Sequence, residues 1–142
     1  AVFAAAAATG RLTGNVLLRR LKPSQLLVAG GVIAALGSAL AAEAGSPWLA
    51  LVGIAVAGLG TSVCAPTIIG MVGAWAGPER RAGAISTVTT IAYLGFLLGP
   101  AAVGAASSAW SLPTALGGVA VLAVIVAVLG PVAGRAGTRQ TR

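Results

Sequence analysis

The chain has 142 residues, 58% of them hydrophobic and 8% charged, with a mean hydropathy of +1.00. That leaves too little polar surface to clothe a soluble globule of this size, and it points to a lipid bilayer. The net charge of +7 would suggest nucleic acid for a soluble protein. In membrane proteins, however, cations gather in the loops that stay in the cytoplasm, and a basic patch for DNA needs a folded polar surface, so no nucleic-acid partner is expected. Histidine is absent, Glu43 and Glu79 are the only acids and Cys64 the only cysteine. Metal sites, nucleophile–base pairs and acid–base pairs cannot be assembled from that inventory, which argues against an enzyme and against a metal or cofactor.

Residues 1–9 are apolar but too few to span, since a crossing takes about 20 residues. They read as the end of a truncated transmembrane helix, so the chain is expected to be a fragment. Residues 10–24 form a basic connection holding Arg11, Arg19, Arg20 and Lys22. A charge-free run follows up to Glu43, and Pro23-Ser24 supplies a helix start, giving a helix over 25–43. Gly30, Ala34, Gly37 and Ala41 place small residues on one stripe of it, the pattern that lets helices approach closely in lipid.

Gly45-Ser46-Pro47 is a turn signal. Residues 44–78 carry no charge, and their length predicts one long helix over 48–75. Pro66 inside it removes a backbone bond to the Ser62 carbonyl and predicts a kink. Thr61 and Ser62 lie close to that point, where freed backbone groups need protein or a water-filled cavity over them. For any one hydroxyl, a bond back to its own helix is the simpler expectation.

After Arg80 and Arg81 no charge appears until Arg135. The cluster around Ser107, Ser108 and Pro113 divides this stretch into helices over 82–107 and 113–133. Ser86, Thr90 and Tyr93 share one face of the first, and Ala92, Gly95, Gly99, Ala102 and Ala106 another. The polar face is expected to look into the bundle and the small face to be a packing seam. Pro100 is a second candidate bend. The last helix is apolar all round, which predicts a peripheral place against lipid, and residues 135–142 read as a basic, disordered tail.

The charges check this count. The nine cations fall in alternate connections and the remaining connections hold none, which is the positive-inside pattern for an even number of crossings with a cytoplasmic C-terminus. Trp48, Trp75 and Trp110 all fall at expected membrane boundaries.

The segment Gly10-Arg11-Leu12-Thr13-Gly14-Asn15-Val16-Leu17-Leu18-Arg19-Arg20 resembles the signature loop of major facilitator superfamily transporters, in the version between helices 8 and 9. Ala92-Tyr93-Leu94-Gly95-Phe96-Leu97-Leu98-Gly99-Pro100 is similar to sequences in their eleventh helix. On this mapping the chain covers the end of helix 8 through helix 12. The implied fold is all-α: a polytopic membrane helix bundle forming part of the C-terminal half of a twelve-helix carrier, multi-pass in a cell membrane, with the bacterial plasma membrane as the expected one.

The resemblance implies a gate loop with Gly10, Arg11, Gly14, Asn15, Arg19 and Arg20 as its marked residues. Asn15 and Val16 stand where the family usually has Asp and Arg, so the charged latch of this loop is weaker or different here. Gly95-x-x-x-Gly99-Pro100 also resembles an antiporter motif, but one from the other half of the fold, and gives no direction of transport.

What the family implies is alternating access, in which a small solute binds near mid-membrane between two rocking bundles. Thr61, Ser62, Ser86, Thr90 and Tyr93 are the candidate cavity residues, Pro66 and Pro100 the candidate bending points. The partners are the bilayer, the solute, the missing N-terminal half of the same transporter and, if transport is proton-coupled, a proton titrating outside this stretch. Two rivals share the composition: a small four-helix multidrug exporter, which would need a membrane-buried carboxylate, and a non-transporting membrane scaffold.

Overall fold

In the computed structural model the described residues are 4, 7–9 and 22–140, with side chains described as far as Val132. They contain no strand; residues 4 and 7–9 are helical, and residues 22–140 form five helices: α1 (Pro23–Ala42), α2 (Pro47–Ser62), α3 (Cys64–Trp75), α4 (Gly77–Ala109) and α5 (Leu112–Gln140). With α2 and α3 taken as one interrupted crossing, four segments are long and apolar enough to span a membrane: Pro23–Ala42, Pro47–Trp75, Gly77–Ala109 and Leu112–Val132.

The helix ends follow from local chemistry. Lys22 is extended, Pro23 fills the first helical position where its missing N–H costs nothing, and the Gln25 side chain reaches back to accept the Lys22 N–H at 3.0 Å. Ser46 caps α2, its Oγ accepting the Leu49 N–H at 3.3 Å, with Pro47 again first in the helix. Ser46→Ala is therefore expected to cost about 1 kcal/mol, measurable as a lowered midpoint in denaturant; an unchanged midpoint would show that the cap contributes nothing. Gly77, at φ +71, makes the tight turn between α3 and α4. Ser111 opens α5, its Oγ accepting the Thr114 N–H at 3.3 Å.

The core is built on α1. Leu26, Leu27, Gly30, Gly31, Ala34, Ala35, Gly37, Ser38 and Ala41 are buried along it, and its largest interfaces are with α5 on one side and α2 on the other. The expected small stripe is the α2 contact. A Cβ at Gly53 would sit 2.6 Å from the Ala41 nitrogen, and one at Gly30 would sit 2.7 Å from the Gly60 oxygen, so backbone meets backbone. On the other side, Gly31 faces Ala127, and Gly130 lies over Leu27 and Ser24.

Five features depart from the sequence reading. The expected kink falls three residues before Pro66, at Val63, a single turn residue between Ser62 and Cys64 that keeps a right-handed helical backbone (φ -91, ψ -18). The cause is still Pro66, which has no N–H for the Ser62 carbonyl four residues earlier. Regular bonding resumes from the Thr67 N–H to the Val63 oxygen at 3.3 Å. Second, the last helix is not free on every side: Ala115, Ala127 and Gly130 are buried while Val121, Leu122, Val128 and Leu129 stay exposed, because small residues, not polarity, decide which helix faces approach in lipid. Third, α4 has no buried residue. None of Ala92, Gly95, Gly99, Ala102 and Ala106 is buried, and a Cβ at Gly95, Gly99 or Gly104 would meet no atom within 4 Å. Fourth, α5 stays helical through Gln140 instead of giving way to a disordered tail after residue 134; alanine, arginine and glutamine in that stretch are adequate helix formers. α4 likewise begins at Gly77 and takes Glu79, Arg80 and Arg81 into its first turns.

Candidate functional site

The sequence-marked hydroxyls fall into two groups. Thr61 and Ser62 close α2 immediately before the Val63 break, roughly midway along the Pro47–Trp75 crossing. Ser62 is buried at 4% exposure, and Thr61 is exposed. Ser86, Thr90 and Tyr93 lie on α4, all exposed, Tyr93 at 71%. No contact joins α2 to α4, and α3, which packs on α4, lies between them in the chain. The structure thus collects each group on its own helix and does not bring the two together.

Most of these hydroxyls are already engaged with their own helix. Thr61 Oγ1 donates to the Ala57 oxygen at 3.0 Å and lies 3.2 Å from that of Gly58, Ser62 Oγ donates to the Leu59 oxygen at 2.7 Å, and Thr90 Oγ1 donates to the Ser86 oxygen at 2.9 Å. Thr67, also buried at 4%, donates to the Val63 oxygen at 2.6 Å and so secures the first turn after the break. Back-bonding of this kind satisfies hydroxyls at membrane depth and favours local bending. Among the described residues no buried side-chain nitrogen or oxygen lacks a partner.

Two residues outside the candidate cavity set carry positional weight. Ser38, buried at 5% on α1, and Thr67 are more enclosed than Ser86, Thr90 or Tyr93. Their place on the buried stripes of α1 and α3 was the available signal: Ser38 follows Gly37 directly, and Thr67 follows the helix-breaking proline. Pro66 is the third residue of α3, and Pro100 lies inside an unbroken α4. The gate-loop residues Gly10, Arg11, Gly14, Asn15, Arg19 and Arg20 lie outside the described residues.

Around these groups the surface is that of a lipid-embedded molecule. Leu36, Val52, Ile91, Phe96, Leu97, Leu122 and Val128 are each more than half exposed, an apolar exterior that water would not tolerate at this extent. Trp48 stands at the start of α2, Trp75 at the end of α3 and Trp110 just past α4, the positions where indole rings meet the membrane–water boundary.

Comparison with known proteins agrees with the helical pattern. The sequence profile of the Major Facilitator Superfamily matches residues 1–140. An uncharacterised MFS-type transporter of Yersinia pestis is 35% identical over 127 residues, covering 89% of this chain and 33% of the relative. The chain therefore spans about a third of the length of that curated relative. No solved structure matches it. With a profile match over nearly its whole length and four membrane-length apolar helices, the chain is a multi-pass membrane protein that belongs to the major facilitator superfamily.

Proposed function

We propose that this chain forms the C-terminal part of a secondary transporter that moves a small solute by alternating access. The carrying observation is α4: a membrane-length helix with a hydroxyl-bearing face at Ser86, Thr90 and Tyr93 and no buried residue. A polar face is costly against lipid unless protein or water covers it. The proposed cover is the remainder of the carrier, the N-terminal half included, with the solute path running along this face. Membership of the family and the description of the Yersinia relative as an MFS-type transporter support transport. The relative's threefold greater length favours a large carrier over a four-helix exporter. The cations grouped at Lys22, at Arg80 and Arg81 and from Arg135 onward support a cytoplasmic C-terminus. No ionisable side chain other than Tyr93 and Cys64 lies well within the described spans, so a proton-coupling carboxylate belongs elsewhere in the carrier.

The test is flux of candidate solutes into liposomes holding the full-length protein, with and without a pH gradient. Solute movement above empty liposomes supports the reading; absence of flux across sugars, drugs and organic metabolites, from correctly folded protein, would favour a scaffold. A finer test uses the α4 face. Because Ser86 and Thr90 are exposed and the Thr90 hydroxyl bonds within its own helix, the double change Ser86→Ala with Thr90→Val is expected to alter stability by less than about 0.5 kcal/mol while lowering flux several-fold. Equal flux in the variant would remove these hydroxyls from the path.

A further inference from the structure

Away from the α4 face, the bundle carries a groove at the cation-rich end of α1. It has a volume of about 320 Å³ and is lined by Ser24, Gln25, Val28, Ala29 and Pro131. It exists because α5 reaches α1 through Gly130, where a Cβ would lie 3.1 Å from the Leu27 Cβ and 3.3 Å from the Ser24 oxygen. The next residue, Pro131, offers only its compact ring. The floor is apolar and the edge, Ser24 and Gln25, is polar.

We propose that this groove, where Ser24 and Gln25 of α1 meet Pro131 of α5 beneath the basic end of the bundle, holds the phosphate headgroup of an anionic phospholipid. Charge complementarity selects the occupant. Exposed Lys22 directly precedes α1. Because α5 continues through Gln140, its register sets Arg135 one turn, about 6 Å, beyond Pro131, and Arg139 a further turn on. No carboxylate lines the groove: Glu43 follows the opposite end of α1, and Glu79 belongs to α4, which makes no contact with α1. Depth selects a lipid over a free anion. The groove lies at the junction between the apolar spans Pro23–Ala42 and Leu112–Val132 and the cations just beyond them, which is the level of the headgroups. At about 30 Å³ per water its volume matches roughly ten water molecules, room for one headgroup and not for acyl chains; the chains would run down the exposed apolar flank at Ala29 and Val132. Each cation near an anionic leaflet contributes roughly fivefold in affinity. The proposal rests on the membrane placement of the helices and is independent of transport.

Native mass spectrometry of the intact protein, released from mixed micelles of phosphatidylglycerol and phosphatidylcholine, tests it. Wild type is expected to retain phosphatidylglycerol about tenfold over phosphatidylcholine. Lys22→Gln with Arg135→Gln should bring the ratio close to parity. Ala29→Leu, which narrows the groove from an exposed position that folding tolerates, should do the same with helical circular dichroism unchanged. Arg80→Gln with Arg81→Gln, at the same end of the bundle but on α4, should keep the wild-type ratio. Equal retention of the two lipids by wild type, an undiminished preference in Ala29→Leu, or an equal loss in the α4 pair would each overturn the assignment.

Discussion

Gly37→Val is expected to destabilise the bundle by about 3 kcal/mol or more, the upper range for forcing atoms into a packed interface. At Gly37 a Cβ alone would clash with the Ala57 nitrogen, lie 2.7 Å from the Gly53 oxygen and 2.8 Å from the Ala57 Cα. All three are backbone atoms of α2, so no flexible side chain can give way and the helices must separate. Separation would also open the Gly30–Gly60 and Gly53–Ala41 approaches, which lie on the same seam. The control is Gly104→Ala: nothing lies within 4 Å of that position, and replacing a mid-helix glycine by alanine should stabilise by up to about 1 kcal/mol. Equilibrium denaturation in micelles or bilayers reads both. If Gly37→Val unfolds at the wild-type midpoint, α1 and α2 do not meet through this seam.

Pro66→Ala is the change with the largest expected functional consequence. Alanine restores an N–H opposite the Ser62 carbonyl, and the two segments Pro47–Ser62 and Cys64–Trp75 can then close into one continuous helix. Since an interior proline costs a helix about 3 kcal/mol, the substitution should stabilise the folded protein, by about 1–2 kcal/mol because Pro66 already occupies the first turn of α3. If the Val63 break serves the proposed transport cycle, flux in proteoliposomes should fall by about tenfold in this more stable variant. Higher stability with full flux would make the break a static feature of the fold, and unchanged stability would show that Pro66 is not its cause.

The crossings could be read from the sequence because lipid imposes a length and a charge rule. The helix starts expected at residues 25, 48 and 113 lie within two residues of Pro23, Pro47 and Leu112, where the structure puts them, and Gly30, Ala34, Gly37 and Ala41 named a seam that the fold uses. Which helices share an interface was less legible. In water an apolar face announces the core, but in lipid both the core and the exterior are apolar, so the even hydrophobicity of α5 said nothing about the burial of Ala115, Ala127 and Gly130. The candidate site was legible only as residue types. Thr61 and Ser86 look alike in sequence, yet one closes a broken crossing and the other rides on a helix with no buried residue. That difference comes from tertiary packing, which periodicity does not encode.

The length of α4 has a geometric consequence of its own. Its 33 residues at a rise of 1.5 Å make a rod of about 50 Å, against a hydrocarbon thickness near 30 Å. Even inclined at an average tilt of about 20°, some 17 Å of it projects past the acyl region, carrying Glu79, Arg80 and Arg81 at one extremity and Ser107 and Ser108 at the other. A change in tilt of about 10° around its midpoint would displace each extremity by roughly 4 Å on this rise, so the ends of α4 are far more sensitive to its inclination than its middle.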